Sequence, residues 1–210
     1  MQPRRFTERT AVTRVFEKYL PPDFVELVVE HYVTSAVRFK IVRGRKSKLG
    51  DFRAGRQGEK HQITVNGTLN PYAFLITTLH EFAHLQTFNQ YGFSVQPHGA
   101  EWKNTYRKLL LPVVDHPSLP TDLKQALTQS LISTKASSCT DHQLSRVLRN
   151  YDEQKDDTAL LEQLPNNTTF ALNGRHFVKG PLRRKRYLCE DVHSKRVYLV
   201  NALAEVVPIN

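Results

Sequence analysis

Along the first third of the chain the apolar positions switch between helical and strand spacing. Val12, Val15, Phe16 and Tyr19 recur at intervals of three and four, which predicts a helix over 7–20 that Pro21 and Pro22 stop. A second helix is predicted from near Asp23 through FVELVVEHY, after which AVRFKIV alternates as a strand. The basic run RGRKSKLGDFR follows, with Gly44 and Gly50 permitting sharp turns, and HQITV at 61–65 alternates again. These segments predict a small antiparallel sheet packed on helices. Asn70 and Pro71 form a strong helix start, because the Asn side chain can cap free amides and proline at the first helical position gives up no needed donor. The predicted helix runs from 71 to about 90, with Leu75, Leu79, Phe82 and Leu85 as an apolar face against the sheet. After Pro97 a helix is predicted from 98 to about 111, with Pro112, Pro117 and Pro120 punctuating its exit, and another over roughly 121–133.

The pattern then changes. Residues 134–166 hold a Ser-rich turn, the short amphipathic segment LSRVLRNY and the acidic DEQKDD, and read as a connector. From 167 to 207, TTFAL, RHFVKG, KRYLC and RVYLV read as short strands, with Asn173-Gly174 a hairpin turn between the first two. The expected organisation is an α+β domain over 1–133, a connector over 134–166, and a small β-rich unit over 167–210.

The chain has 210 residues, 40% of them hydrophobic, which suits one domain and a small appendage. Its apolar runs are broken well short of the roughly 18 positions a membrane span needs, and its first residues lack the apolar core of an export signal. Cys139 and Cys189 are too few for a disulfide framework, so a reducing cytoplasm is the expected setting, with association to the nucleoid compatible. Each cysteine is expected to be a small buried apolar residue. The net charge is +10, and its distribution matters more than its size. Residues 1–60 carry 14 basic and 7 acidic side chains, 61–120 are neutral, and 161–210 carry 8 basic and 4 acidic. Positive charge at both ends suits a polyanionic partner, most simply nucleic acid. Arg43, Arg45, Lys46 and Lys48 form one basic cluster ahead of Phe52, and Arg183, Arg184, Lys185 and Arg186 form another beside Tyr187. Cations that neutralise phosphates beside rings that stack on bases suit single-stranded or non-sequence-specific DNA.

The chemistry concentrates in His80-Glu81-Phe82-Ala83-His84. Two histidines four apart on a helix project from one face and suit one metal ion, while Glu81 is rotated about 100° away and is free to act as a base. With 9 histidines in 210 residues, roughly 0.02 occurrences of this pattern are expected by chance, so accident is a poor explanation. One zinc ion held by neutral imidazoles acidifies bound water to a pKa of about 7, and a neighbouring carboxylate takes the proton as that water attacks a carbonyl. Such a site needs a third ligand. The metzincin spacing fails, because Thr87 and Gln90 stand where glycine and histidine are required. Glu101, Asp115 and His98 remain, and His98, in PHGAEWK at a predicted helix start, is the best placed. Tyr91 and Tyr106 are possible oxyanion donors, although packing suits both better.

HEFAH followed after thirteen residues by HGAEW resembles the SprT-like, Spartan-related metalloproteases, and the likeness extends over residues 35–111, including KSKLGDF, ITVN and LNPYAFLITTLH. The resemblance implies a zincin-like fold, His80, His84 and His98 as zinc ligands, Glu81 as general base and Trp102 as an aromatic packed one turn after the third ligand. It also implies association with DNA. Many relatives carry a C-terminal zinc ribbon with paired cysteines. Here only Cys189 is present, and Phe170, Phe177, Tyr187 and Tyr198 are expected to hold a similar β-unit without metal. The expected function is therefore zinc-dependent hydrolysis of peptide bonds in DNA-associated or DNA-crosslinked proteins. The competing expectation is a non-catalytic, DNA-associated or transcription-linked accessory protein whose zinc is structural or vestigial.

Overall fold

The computed structural model describes residues 3–44, 48–56, 58–132, 141–153 and 157–209. The chain is mixed α and β and divides into two compact units, Met1–Asp152 and Glu153–Asn210. No helix among the described residues is long and apolar enough to cross a membrane. Cys139 and much of the Ser-rich turn lie outside the described residues.

In the first unit α1 (Pro3–Phe16) leads through a single turn at Pro22–Phe24 into α2 (Val25–Thr34). Arg9 of α1 pairs with Glu26 and Glu30 of α2. Three strands follow, β1 (Val37–Val42), β2 (Gly50–Arg53) and β3 (His61–Asn66), in the order β1-β3-β2. The sheet is not wholly antiparallel as expected: β1 runs parallel to β3, with Phe39 opposite Ile63, and only β2 runs antiparallel to it. Alternation in a strand records which face is buried and carries no information on direction, so the crossing of the chain over β3 was invisible in the pattern. Central β3 is buried over its last four residues, and β2 is left as an edge.

Helix α3 (Pro71–Tyr91) starts where Asn70 and Pro71 predict. Asn70 Oδ1 accepts the Ala73 amide at 2.9 Å, and Gly92, with φ of 60°, closes the other end. The helix does not present one apolar face. Phe74, Leu75, Leu79, Phe82 and Ala83 are all fully buried, and so are Thr78, His80 and Glu81, because α2, α4 and the sheet surround it. Helix α4 (Ala100–Val114) runs on past Pro112 instead of ending before it. A helical proline costs about 3 kcal/mol, and burial of Val113 and Val114, about 1.5–3 kcal/mol each, offsets it. Helix α5 (Thr121–Ile132) and α6 (His142–Arg149) complete the unit. The amphipathic LSRVLRNY segment is α6, and it packs into the first core through buried Leu144, with Val147, Leu148 and Tyr151 alongside. Asn70 Nδ2 donates to the Leu148 carbonyl at 2.9 Å and to Asp152 at 2.6 Å, and Tyr151 donates to Asp122 of α5 at 2.7 Å.

The second unit is a six-stranded antiparallel sheet of β4 (Ala159–Leu160), β5 (Thr169–Leu172), β6 (Arg175–Arg183), β7 (Arg186–Asp191), β8 (Val197–Asn201) and β9 (Glu205–Ile209), ordered β4-β9-β5-β6-β7-β8. Asn173 and Gly174, with φ of 52° and 75°, make the expected turn. Strand β6 continues through Pro181 by an irregularity between Lys179 and Leu182, where proline is tolerated. Leu161, Phe170, Phe177, Cys189, Val200 and Val206 form the core, with Tyr187 and Tyr198 packed against it. Lys179 is only 2% exposed, hydrogen-bonds the Leu164 carbonyl and lies 3.9 Å from the Tyr187 ring centre. Asp191 accepts from the His193 and Ser194 amides and pairs with Arg175 at 2.6 Å, which holds its carboxyl down at about 2.

Candidate metal centre

His80 and His84 lie one turn apart on α3, and His98 arrives from the segment between α3 and α4. Their Nε2 atoms converge: His80 to His84 is 3.1 Å, His84 to His98 is 3.0 Å and His98 to His80 is 3.2 Å. A tetrahedral ion with metal–nitrogen bonds of about 2.0–2.1 Å sets its ligand atoms roughly 3.3 Å apart, so the separations fit one such ion. Burial keeps the rings neutral, pulling His84 down to about 4 and His80 to about 2, with His98 lowered as well. Neutral rings whose nitrogens point at one another bring lone pairs together, and a cation at their centre relieves that arrangement. The three histidines therefore form a group able to hold a metal ion. The acidic alternatives for the third position, Glu101 and Asp115, are not in the group.

His98 reaches its place through an uncommon backbone, with φ of 61°. That region costs most residues about 1–2 kcal/mol and is less unfavourable for histidine than for branched side chains. Trp102, one turn into α4 and 1% exposed, lies 4.6, 5.1 and 4.7 Å from the His80, His84 and His98 ring centres. It backs all three rings at once. Tyr106 packs on Trp102 and His80 inside the core, and Tyr91 stands exposed at the end of α3.

The group opens into a cleft of about 550 Å³ lined by Lys48, Gly50, Asp51, Phe52, Glu81 and Pro97 with the three histidines. Glu81 is 4% exposed. Burial and the nearby Asp51 carboxylate push its carboxyl up to about 8, while the Phe52 backbone amide and Lys48 act the other way. A dication at the histidines would draw it back down. Asp51 itself is held low by Lys48 Nζ at 2.8 Å and Arg53 Nε at 2.7 Å, against the opposing effect of burial.

Gly50 and Phe52 line this cleft beside Glu81, a placement that the sequence pattern does not predict. A Cβ at position 50 would lie 2.5 Å from Glu81 Oε1 and 2.8 Å from Thr77 Cγ2, so only glycine lets β2 approach the motif helix this closely. A glycine inside a strand is the signal in the sequence for such a close approach, although glycine there equally suits a turn. Of the first basic cluster, Arg43 is exposed just after β1 and Lys48 stands in the cleft wall; Arg45 and Lys46 lie outside the described residues. In the second unit Arg183 pairs opposite Arg186 across the β6–β7 hairpin, with Arg184 and Lys185 as its turn. All four are exposed. Cys189 is fully buried. No protein-family model, curated protein or solved structure matches this chain.

Proposed function

We propose that the first unit is a zinc-dependent endopeptidase acting on proteins held on or near DNA. The observation that carries this reading is the convergence of three neutral imidazoles beside a buried carboxylate, in a cleft bordered by the edge strand β2. Imidazole donors suit several transition metals, and three of them in a cleft that leaves room for a fourth ligand suit catalytic zinc best. Zinc bound there would supply a Lewis acid for the scissile carbonyl and lower the pKa of water.

The residues of the chain would do the rest. Among the described residues strand β2 has β3 on one side only, so an extended peptide can add along its other edge and be read by main-chain hydrogen bonds. Glu81, anchored by the Phe52 amide and held over the cleft by the close approach of Gly50, would accept the proton of the attacking water and return it to the departing nitrogen. Trp102 would keep the three rings in register and exclude water behind them.

The DNA component rests on the β6–β7 hairpin. Arg184 sits in the left-handed region, φ 59°, where asparagine or glycine is usual, and Arg183 faces Arg186 across the strands. Both choices are locally unfavourable, and a phosphate backbone reverses the sign of the second.

The test is cleavage of a protein crosslinked to single-stranded DNA, with the same protein uncrosslinked alongside, by zinc-loaded wild type and Glu81→Gln. Cutting by the wild type alone, favoured by the crosslink, is expected. His84→Ala should lose both zinc and cutting, whereas Glu81→Gln should keep zinc and lose at least about 100-fold in rate. Equal rates for Glu81→Gln and wild type would sink the mechanism. No cutting by a zinc-loaded, DNA-bound protein would favour an accessory role instead.

A further inference from the structure

Next to the metal group, a row of aromatic rings runs from a ligand out to solvent. Phe52, which lines the cleft, lies parallel to His84 with ring centres 6.4 Å apart and an interplanar angle of 6°. Phe88, one turn beyond His84 on α3, meets Phe52 at 5.8 Å and the His61 ring at 5.2 Å. Phe93, just past the end of α3, meets Phe88 edge-on at 5.0 Å and is 90% exposed. A single exposed apolar side chain needs no explanation, but here it prolongs a continuous aromatic surface that begins at a metal ligand. On the side of α3 and its exit, between Phe82 and Ala100, there is no Asp, Glu, Lys or Arg, and the cations that flank Phe52, Lys48 and Arg53, are both paired with Asp51. A surface for nucleotide bases would set cations beside its outer rings, as the β6–β7 hairpin does, so the uncharged segment around Phe88 and Phe93 favours an apolar protein side chain.

We infer that Phe52, Phe88 and Phe93 form a specificity ledge that takes a large apolar side chain, aromatic or long aliphatic, of a peptide lying in the metal cleft. The inference rests on the peptidase reading of the cleft. A peptide extended along β2 advances about 3.3 Å per residue, which sets the accepted side chain within one or two residues of the scissile bond. Burying such a side chain against three rings, compared with glycine at the same position, is worth on the order of 10-fold in recognition.

The experiment uses the full chain, zinc-loaded, and blocked hexapeptides that carry Phe, Leu, Gly or Asp at each of the four inner positions in turn. Two quantities are read: cleavage by the wild type, and calorimetric affinity for Glu81→Gln, which is expected to bind without cutting. At one position Phe and Leu should exceed Gly by roughly 10-fold and Asp by more, in both readouts. Adding Phe93→Ser should reduce that ratio several-fold. Ile132→Ser, which removes an apolar side chain that is 73% exposed at the end of α5, should leave the ratio as it is. Affinities that do not distinguish Phe from Gly overturn the ledge whether or not peptides are cut. A Phe preference in binding that depends on Phe93, with no cleavage by the wild type, upholds the ledge and overturns the peptidase reading. Displacement of the Phe peptide by a dinucleoside joined through an uncharged methylphosphonate linkage, at equal concentration, would assign the rings to bases and overturn the inference.

Discussion

At the residue scale, Gly50 decides where Glu81 can stand. Gly50→Ala would place a methyl group 2.5 Å from Oε1, so either the carboxylate or β2 must move. The expected outcome is zinc bound at unchanged stoichiometry with peptide cleavage down roughly 100-fold, measured by metal analysis and initial rates. A variant as active as wild type would show that the carboxylate is not held from β2. The histidines set a pH dependence. Their folded values lie below the ordinary 6.5, at about 4 for His84 and about 2 for His80, so folding excludes protons that the unfolded chain would bind. Stability from this source is complete above about pH 6.5 and is lost as pH falls toward 4 and below. Glu81, raised to about 8, works the opposite way over the same range, so the test uses metal-stripped Glu81→Gln. It should unfold at lower urea at pH 5 than at pH 7, and adding His84→Asn should flatten the difference; equal midpoints in Glu81→Gln would contradict neutral burial of these rings. Both histidines of the motif and the glutamate between them were legible in the sequence because a four-residue spacing on a helix has only one geometric meaning. The glycine was not, because its role lies in an atom it lacks and a neighbour 31 positions away.

At the scale of elements, Asn70 joins the start of the motif helix to the end of the first unit. Its Oδ1 caps α3 through Ala73, and its Nδ2 donates to Leu148 and Asp152 around α6. Asn70→Ala removes a cap worth about 1 kcal/mol and leaves carbonyl and carboxylate partners unsatisfied, so a total loss of about 2 kcal/mol is expected from urea unfolding. Asn70→Ser, whose hydroxyl can cap but cannot reach both partners, should recover the cap and lose the clamp, falling between the two. The sequence announced the cap, since Asn before Pro opens a helix on local grounds alone. It did not announce the clamp, and it left α6 in a connector, because a short amphipathic helix declares an apolar face without saying which core receives it. Helix α3 shows the converse: an apolar face read from Leu75, Leu79, Phe82 and Leu85 proved to be part of a helix buried on nearly every side, including the side that carries His80 and Glu81.

At the scale of the whole molecule, two units with separate cores hold the three-histidine group and the cationic hairpin apart in the chain. The metal group and its cleft belong to the first, and the cationic hairpin belongs to the second. Replacing Arg183, Arg184, Lys185 and Arg186 by alanine should lower affinity for single-stranded DNA and reduce the slope of log K against log salt by roughly 3, given about 0.7 per phosphate neutralised. Cleavage of free peptides by the same variant should stay within about twofold of wild type. An unchanged slope would show that the hairpin does not meet phosphates.

By itself the sequence determined what is local: the capped helix, the paired histidines and glutamate on it, the Asn173-Gly174 turn and the concentration of positive charge. These follow from backbone preferences and spacings of a few residues, which hold in any surroundings. Only the tertiary structure decided the parallel pairing of β1 with β3, the membership of α6, and the approach of Gly50 and Phe52 to the motif. Each of these joins residues far apart in the chain, and such contacts depend on how separate elements share one core, a packing problem that periodicity along the chain does not encode.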